Sequence, residues 1–262
     1  MPTAQETAEV WRQSPLVDEE TKAEIQRLLA DENPSELEDC FGQPLEFGTR
    51  DLRGLIGVGT NRMNLYTVQL TTEGWARHLA AHPEGSRVGV VIGYDSRRFS
   101  REFAEAAAEV FAGHGIPTWV FREVAPTPLV SFELLRRKAR AGLVITASHN
   151  PAEYNGYKIY GSNGGQVIPP EDGEIINEVN RIQRLDEIRR MPYPEGQAKA
   201  LIQEVGNEPD AAYLDTLDSL ALGRVEANRN LGVVYTPFNG TGGRSVPAIL
   251  ERRGFSVQVV AE

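Results

Sequence analysis

Short apolar runs alternate along the chain with longer stretches in which apolar residues recur at helical spacing. The apolar runs are rich in β-branched residues and predict strands that are buried on both faces. They span residues 87–94, 116–121 and 143–145. Before the first run, Leu65, Val68, Trp75 and Leu79 form one stripe of a predicted helix. Alternating strands and helices of this kind indicate a layered α/β domain.

Polar residues and prolines indicate where the helices begin. Caps are predicted at Asp18, Asn64, Ser100 and Thr127. A pair of prolines before residue 171 predicts the start of a long polar helix that runs to about residue 190. A proline-rich break follows this helix, so the long helix is expected to close the first part of the chain.

The break indicates two units of unequal size. We predict a first domain over residues 1–205 and the start of a second, similar domain over residues 206–262. The second unit contains a glycine-rich loop at residues 236–243, which lacks the lysine of a P-loop. We interpret that loop as a structural turn.

The most distinctive stretch is GLVITASHNPAEYNGYKIY at residues 142–160, where a buried strand ends in a polar loop. Ligands bind at such strand ends in α/β sheets, and a serine held there can act as a nucleophile or carry a phosphoryl group. Asn155-Gly156 predicts a tight turn. Side-chain alternation after the turn sends the Lys158 ammonium back toward the loop, so Ser148, His149 and Lys158 are expected to share one site.

The runs TASHNP and YNGYKIY in this stretch closely resemble the active-site loop of the α-D-phosphohexomutases, the phosphoglucomutase and phosphomannomutase superfamily. The resemblance implies a three-layer α/β/α sandwich with a mixed sheet. It also implies that Ser148 is carried as phosphoserine and that Lys158 is a general acid or base. His149 and Asn150 are implied to order the phosphate and the substrate.

An earlier loop, FGTRDLRG at residues 47–54, resembles a second loop of the same family. Arg53 falls on the family's arginine near the phosphoserine, and its guanidinium suits a phosphate. Arg50-Asp51 departs from the family pattern of a small residue and a glycine. The carboxylate of Asp51 would oppose phosphate binding unless Arg50 or Arg53 neutralises it.

Two further segments extend the resemblance. The segment GVGTNRMN at residues 57–64 offers Arg62 as a further candidate for contact with phosphate. The segment after the first predicted strand resembles a G-x-D-x-R loop, which implies that Asp95 and Arg97 order the floor of the site.

The family has four domains and holds one Mg²⁺ with a D-x-D-x-D-R loop and an oxygen of the phosphoserine. No DxDxD pattern occurs in this sequence, so Ser148, through its phosphate oxygen, is the one metal ligand expected here. We therefore expect the chain to be the N-terminal portion of a mutase, with little or no activity by itself.

The predicted function is that of a phosphosugar mutase, with glucose 1-phosphate and glucose 6-phosphate favoured and glucose 1,6-bisphosphate as intermediate and activator. A phosphopentomutase, a sugar-bisphosphate synthase and a non-catalytic phosphosugar-binding or regulatory fragment remain alternatives. A serine hydrolase is disfavoured because Ser148 lacks the flanking glycines of G-x-S-x-G.

Composition restricts partners and compartment. The net charge of -10 argues against nucleic-acid and acidic-membrane surfaces. The sequence shows no apolar run of membrane-spanning length and no N-terminal signal pattern, which predicts a cytoplasmic protein. Cys40 is the single cysteine, so no disulfide can form within the chain. His78 and His82 lie at i,i+4 spacing without the glutamate of HExxH, and no metal site is expected there. The oligomeric state stays open.

Overall fold

The computed structural model describes residues 2–46, 51–84, 87–182, 184–221 and 231–260. Within these ranges it contains eight strands and ten α-helices. The strands are β1 Asp51–Leu55, β2 Val90–Tyr94, β3 Thr118–Phe121, β4 Ala141–Ile145, β5 Tyr154–Gly161, β6 Ile202–Val205, β7 Gly232–Tyr235 and β8 Ser256–Val259. The helices are α1 Ala4–Gln13, α2 Glu19–Ala30, α3 Ser35–Phe41, α4 Leu65–Ala81, α5 Ser100–Gly113, α6 Thr127–Arg137, α7 Glu171–Asn180, α8 Tyr193–Ala198, α9 Glu208–Leu220 and α10 Ser245–Arg252.

Six strands form one mixed sheet in the order β1-β5-β4-β2-β3-β6. The pairs among β4, β2, β3 and β6 are parallel, whereas β5 is antiparallel to both β4 and β1. The mixed sheet predicted from the family resemblance is therefore confirmed.

Helices cover both faces of this sheet. On one face Trp75 of α4 and Phe111 of α5 pack edge to face, with ring centroids 5.4 Å apart, over the strand residue Ile92. On the other face Leu129 and Leu134 of α6 pack against Val91 and Val144. Fully buried side chains of this size stabilise the fold by about 1.5–3 kcal/mol each. The three-layer α/β/α arrangement is confirmed.

The N-terminal arm packs as a small helical cluster on α4. Asp18 caps α2 by accepting from the Thr21 N–H at 2.8 Å, as predicted, and also accepts from the Tyr66 hydroxyl at 2.6 Å. The sequence analysis did not predict α1. The sequence feature that could have predicted α1 is the capping box of Thr3 and Glu6, in which the side chain of each residue accepts a hydrogen bond from the backbone N–H of the other.

The predicted long helix over residues 171–190 is wrong. Helix α7 ends at Asn180, and a short 3-10 turn follows at Leu185–Glu187. Tertiary contacts explain the early end, because Leu185 is buried in the N-terminal cluster and the Arg189 N–H donates to the buried Glu73 carboxylate at 2.9 Å. In a continuous helix the Arg189 N–H would donate to a carbonyl of the same helix and would not be available to Glu73.

Two predicted caps are also wrong. Helix α5 begins at Ser100 itself, after Phe99 in a left-handed conformation, and the Ser100 hydroxyl donates to Asp95 at 2.7 Å instead of capping the helix. Thr127 is the first residue of α6, and Pro126 is its cap. The Asn64 cap is confirmed, with the Thr67 N–H donating to its side chain at 2.9 Å.

Two smaller predictions also differ from the structure: the burial of Leu65 in α4 and the first residues of two strands. Leu65 is 41% exposed, because it is the first residue of α4 and lies off the core-facing stripe. Strands β2 and β3 begin two to three residues later than their apolar runs.

The last elements form a separate small sheet. Helix α9 follows β6 and contacts α6. Strands β7 and β8 form a parallel pair, and α10 packs against β8. The boundary near residue 206 stays a prediction. None of the helices in the described ranges is long and apolar enough to span a membrane.

Candidate active site

The polar loops that follow β2 and β4 lie side by side at one edge of the sheet. These two strands are parallel neighbours, with Tyr94 opposite Ile145, so both end at the same edge. The Asp95 N–H donates to the Ile145 carbonyl at 3.1 Å, which joins the two loops where they begin. This is the edge at which α/β sheets bind ligands.

Ser148 presents its hydroxyl to solvent from a left-handed backbone. Its φ is 56°, and its N–H donates to the Thr146 hydroxyl at 2.9 Å. Ala147 before it is buried, whereas Ser148 and His149 are exposed. The Ser148 Oγ lies 3.5 Å from His149 Nδ1, at the outer limit of a hydrogen bond. A left-handed conformation costs a non-glycine residue roughly 1–2 kcal/mol, so the surrounding contacts must hold it.

Arg97 supplies most of those contacts. Its guanidinium donates to the carbonyls of Ser148, Asn150, Pro151 and Tyr154 at 2.5–3.0 Å. No single backbone segment could offer four acceptors to one side chain unless it curled around the guanidinium. The loop therefore wraps around Arg97.

Asp95 orients Arg97. Its carboxylate accepts from the Arg97 N–H at 3.0 Å and from the Ser100 hydroxyl at 2.7 Å, and it lies 3.4 Å from Arg97 Nε. Asp95 and Arg97 thus contact the Ser148 loop directly or through each other. Their role in ordering the site belongs to the proposal below.

Asn155-Gly156 does not form the predicted turn. Both residues lie inside β5, and the chain reverses earlier, within residues 146–153. Asn155 is fully buried and donates to Ser100 Oγ at 2.9 Å and to the Arg98 carbonyl at 3.1 Å. A Cβ at Gly156 would lie 2.6 Å from the Thr146 carbonyl oxygen. The glycine is therefore needed for close backbone approach and not for a turn.

Strand β1 brings Arg53 to the end of the sheet that holds the Ser148 loop. It is antiparallel to β5, with Asp51 opposite Lys158 and Arg53 opposite Gly156. Arg53 donates to the Asn150 side-chain oxygen at 2.6 Å and forms a 2.5 Å ion pair with Asp51. Its Nε is buried and has no hydrogen-bond partner among the described residues. Arg53 therefore neutralises the unusual Asp51 carboxylate and holds the Asn150 side chain.

Lys158 is partly buried in β5 between the buried Tyr157 and Ile159. Burial lowers the pKa of its ammonium, the Asp51 carboxylate acts in the opposite direction, and Arg53 lowers it further. A lysine with a lowered pKa can exchange a proton nearer to neutral pH than a free lysine can.

The hydrogen bonds of Arg62 go to residues outside the Ser148 loop. It is buried, and it donates to the Asp39 carbonyl at 3.1 Å, to the Asp39 carboxylate and to the Asn61 carbonyl. These bonds attach the loop before α4 to α3. Contact of Arg62 with phosphate stays a prediction, and Arg50, with the FGT motif, lies outside the described residues.

The described residues around Ser148 do not by themselves fit a Mg²⁺ site. Two carboxylates at this end of the sheet, those of Asp51 and Asp95, are paired with Arg53 and Arg97. Across the described ranges, the one group of three His, Cys, Asp or Glu ligands that could hold a metal is His78, His82 and Glu174, at the other end of β4.

Sequence reasoning missed two supporting residues, Asn155 and Ser100. Asn-Gly is typical of turns, and a serine after a loop is typical of a cap, so local signals pointed away from their tertiary roles. Only the meeting of β5 with the start of α5 makes them partners.

Comparisons with known proteins show which family the chain resembles. Residues 44–186 match the family model described as phosphoglucomutase/phosphomannomutase, alpha/beta/alpha domain I. A phosphopentomutase from Pongo abelii is 37% identical over 254 residues, which cover 91% of this chain and 40% of that protein. A phosphoglucomutase from Staphylococcus epidermidis is 32% identical over 235 residues, which cover 88% of this chain and 42% of that protein. The chain thus spans about two fifths of the length of these curated relatives.

The fold agrees with solved structures as well. A crystal structure of a candidate phosphomannomutase from Thermus thermophilus superposes with a TM-score of 0.66 at 26% identity, covering 83% of this chain and 46% of the other. The family model matches more than half of the chain and includes β1, the Ser148 loop and β5. The chain therefore belongs to the phosphoglucomutase/phosphomannomutase family.

Proposed function

We propose that this chain carries the phosphoserine site of a phosphosugar mutase. The observation that carries the proposal is the exposed Ser148, whose backbone is left-handed. Its loop wraps around the Arg97 guanidinium, and Asn150 of the same loop accepts a hydrogen bond from Arg53. A serine hydroxyl is a weak nucleophile, whereas phosphoserine donates a phosphoryl group when its oxygens are aligned and neutralised.

In the first half-reaction a hydroxyl of the sugar monophosphate attacks the phosphorus of phospho-Ser148. The bond between phosphorus and Ser148 Oγ breaks, a new phosphorus–oxygen bond forms to the sugar, and the hydroxyl proton passes to the neutral amine of Lys158. The lowered pKa of Lys158, caused mainly by burial, supports this role. The product is a sugar bisphosphate.

In the second half-reaction the bisphosphate presents its other phosphate to Ser148. Ser148 Oγ takes that phosphoryl group, and Lys158 returns its proton to the sugar oxygen that is released. Arg53 and His149 stabilise the phosphate anion, and Asn150, which accepts a hydrogen bond from Arg53, orders it. Asp95 and Arg97 act as positioning residues for the loop.

Glucose phosphates are the favoured substrates, with glucose 1,6-bisphosphate as intermediate and activator. Pentose phosphates are the second candidate, because the chain is 37% identical to a phosphopentomutase and 32% identical to a phosphoglucomutase. Mg²⁺ remains part of the proposal as a resident ion that the family resemblance implies, and no step above passes through it. A cytoplasmic location is also part of the proposal.

The first test is the mass of the protein purified from its source cells without exposure to phosphatase. We expect one phosphoryl group on the peptide that contains Ser148. That peptide recovered only unmodified would contradict the phosphoserine assignment and favour the alternative of a non-catalytic phosphosugar-binding protein.

Turnover of the same source protein distinguishes the substrates. Glucose 1-phosphate and ribose 1-phosphate are compared as substrates, and the faster one, by kcat/KM, identifies the sugar. Ser148→Ala should lower turnover of either sugar by at least about 1000-fold, the scale expected for loss of a nucleophile. The matched control is Ser96→Ala, an exposed serine in the neighbouring loop. Equal activity of Ser148→Ala and the control would rule out the proposed mechanism.

A further inference from the structure

A polar cavity lies at the opposite end of β4 from Ser148. It has a volume of about 590 Å³, and its lining includes His78, His82, Glu84, Arg140 and Glu174. Arg140 immediately precedes β4, whereas the Ser148 loop follows it. The five residues of β4 separate the two places by about 17 Å at the usual rise per strand residue. The cavity therefore takes no part in the proposed phosphoryl transfer.

Three side chains in this cavity have the chemistry of metal ligands. His78 lies in the last turn of α4, His82 is its C-cap residue, and Glu174 lies in α7. One ligand atom from each lies within 4.8 Å of the others. The i,i+4 spacing places the two imidazoles on one face of the helix, and their ring centroids are 4.5 Å apart.

The hydrogen bonds of the histidines leave nitrogen lone pairs for a ligand. His82 Nδ1 lies 3.0 Å from the His78 carbonyl oxygen, so the proton belongs on Nδ1 and the lone pair on Nε2. Histidines that bind metals commonly donate their other ring N–H to a backbone carbonyl in this way.

His78 itself is 2% exposed, and its Nδ1 has no hydrogen-bond partner among the described residues. Its Nε2 faces the Glu171 carboxylate at 3.7 Å, beyond hydrogen-bond range. A buried nitrogen without a partner is costly in a protein interior. A metal ion bound by one ring nitrogen of His78 would fix its tautomer and orient the other ring nitrogen as a donor.

The charge around the cavity favours a cation. Among the described lining residues there are three carboxylates, Glu84, Glu171 and Glu174, and one guanidinium, that of Arg140. Arg140 pairs with Glu84 at 3.2 Å and with Glu171 at 3.9 Å. The Glu174 carboxylate has no such pair in the described part of the chain, so it remains available as a ligand.

The helices that carry the ligands are held close together. A Cβ at Gly74 of α4 would lie 2.5 Å from Cγ2 of Val179 in α7, so the two backbones approach as closely as a glycine allows. This contact fixes the position of Glu174 relative to the histidines before any ion binds. A metal site gains affinity when its ligands are held in place in advance.

From these observations we propose that His78, His82 and Glu174 bind one divalent transition-metal ion of the Zn²⁺ class. Two imidazole nitrogens and one carboxylate oxygen form a recognised Zn²⁺ donor set, in which a fourth position stays open to water. Ligand atoms around tetrahedral Zn²⁺ lie about 3.3 Å apart, given bonds of about 2.0–2.1 Å. Rotation of the exposed Glu174 side chain, with a tilt of the His82 ring that keeps its Nδ1 bond to the His78 carbonyl, would bring the ligand atoms from within 4.8 Å toward this distance. The ion joins α4 to α7.

The test is calorimetric titration of the full chain with Zn²⁺, with Co²⁺ as a spectroscopic probe. We expect one saturable Zn²⁺ site, the visible absorption of tetrahedral Co²⁺, and a higher Tm with Zn²⁺ present because the ion binds the folded state. Glu174→Gln and His82→Gln should each weaken binding at least about 10-fold, since loss of even a residue that only orients a metal ligand commonly costs that much.

Matched controls separate this site from other Zn²⁺ ligands. Glu178→Gln makes the same change one turn further along α7, and His149→Gln removes an exposed histidine at the Ser148 loop. Both should keep the affinity of the unmodified chain. The proposal is overturned if the chain shows no saturable Zn²⁺ binding, or if Glu174→Gln and His82→Gln bind Zn²⁺ as tightly as the controls. Circular dichroism of both variants checks that they are folded.

Discussion

At the scale of single residues, Ser148 combines an exposed hydroxyl with a backbone conformation that favours glycine. The chain keeps a serine there although a glycine would relieve the conformation. Strained residues that persist in a fold commonly lie at functional sites, where the surrounding contacts determine their conformation. Here those contacts come from the Arg97 guanidinium and the Thr146 hydroxyl.

Replacing Ser148 by two small residues separates the strain from the chemistry. Ser148→Gly should be about 1 kcal/mol more stable than Ser148→Ala. Relief of the left-handed conformation is worth roughly 1–2 kcal/mol, and the added freedom of glycine in the unfolded chain costs about 0.5–1 kcal/mol. Urea unfolding midpoints measure the difference. Ser96 in the neighbouring loop is the control, because its φ is not positive, and there Ser96→Gly should be less stable than Ser96→Ala. A Ser148→Gly variant no more stable than Ser148→Ala would contradict the strain.

At the scale of elements, β5 is the strand that assembles the site. It lies between β1 and β4 and brings Lys158 opposite Asp51 on one side and opposite Val144 on the other. The start of this strand is also crowded. The glycine at position 156 faces the Thr146 carbonyl and, at 3.0 Å from the position of a Cβ, the Leu52 carbonyl.

Gly156→Ala should therefore disturb both stability and the Ser148 loop. Overpacking of this kind typically costs about 1–3 kcal/mol, and the contacts here are backbone atoms that cannot rotate away. Thr146 would shift, and its hydroxyl is the acceptor for the Ser148 N–H. Denaturant unfolding measures the loss, and amide hydrogen exchange at Ser148 measures the loop. Gly161→Ala, in the same strand, is the control, because the atom nearest to its new Cβ would be 3.5 Å away. Equal stability of the two variants would refute the crowding.

At the scale of the whole molecule, one buried carboxylate connects three parts of the chain. Glu73 of α4 accepts from Arg77 in the same helix at 2.7 Å and from the Arg189 N–H at 2.9 Å. It also lies 2.8 Å from His114 Nε2, just after α5. Burial acts to raise the pKa of Glu73, but these hydrogen bonds outweigh it and the net pKa lies below its ordinary value of 4.5.

The Glu73 cluster makes the fold sensitive to acid. Since the folded-state pKa is lowered, the stabilisation is complete above the ordinary carboxyl pKa and is lost as pH falls through the folded-state value. At neutral pH, Glu73→Gln should cost about 1.5–3 kcal/mol, the range for hydrogen bonds to charged groups. The difference from the unmodified chain should shrink as pH falls below about 4.5.

Urea unfolding at a series of pH values measures this dependence. Glu105→Gln is the control, because Glu105 pairs with Arg101 on the surface of α5 and such a pair is worth about 0.5 kcal/mol or less. A constant difference between the unmodified chain and Glu73→Gln across the acid range would show that the Glu73 charge does not stabilise the fold.

The sequence by itself determined the features that depend on neighbours along the chain. β-branched runs identified β2, β3 and β4, because strands buried on both faces need such side chains. Asp18 and Asn64 identified their helix starts, because a cap acts on N–H groups two or three residues away. The TASHNP motif identified the Ser148 loop and the family.

Only the tertiary structure decided the features that depend on distant partners. Asn155-Gly156 became strand because β1 pairs with both residues on one side and the Thr146 N–H donates to the Gly156 carbonyl at 3.0 Å on the other, which outweighs the local preference for a turn. The chain after α7 does not continue as helix to residue 190, because the Arg189 N–H donates to Glu73, which lies 116 positions earlier. His78 and Glu174 met because α4 packs closely on α7. Side chains far apart in sequence are brought together by packing, and no local pattern encodes that contact.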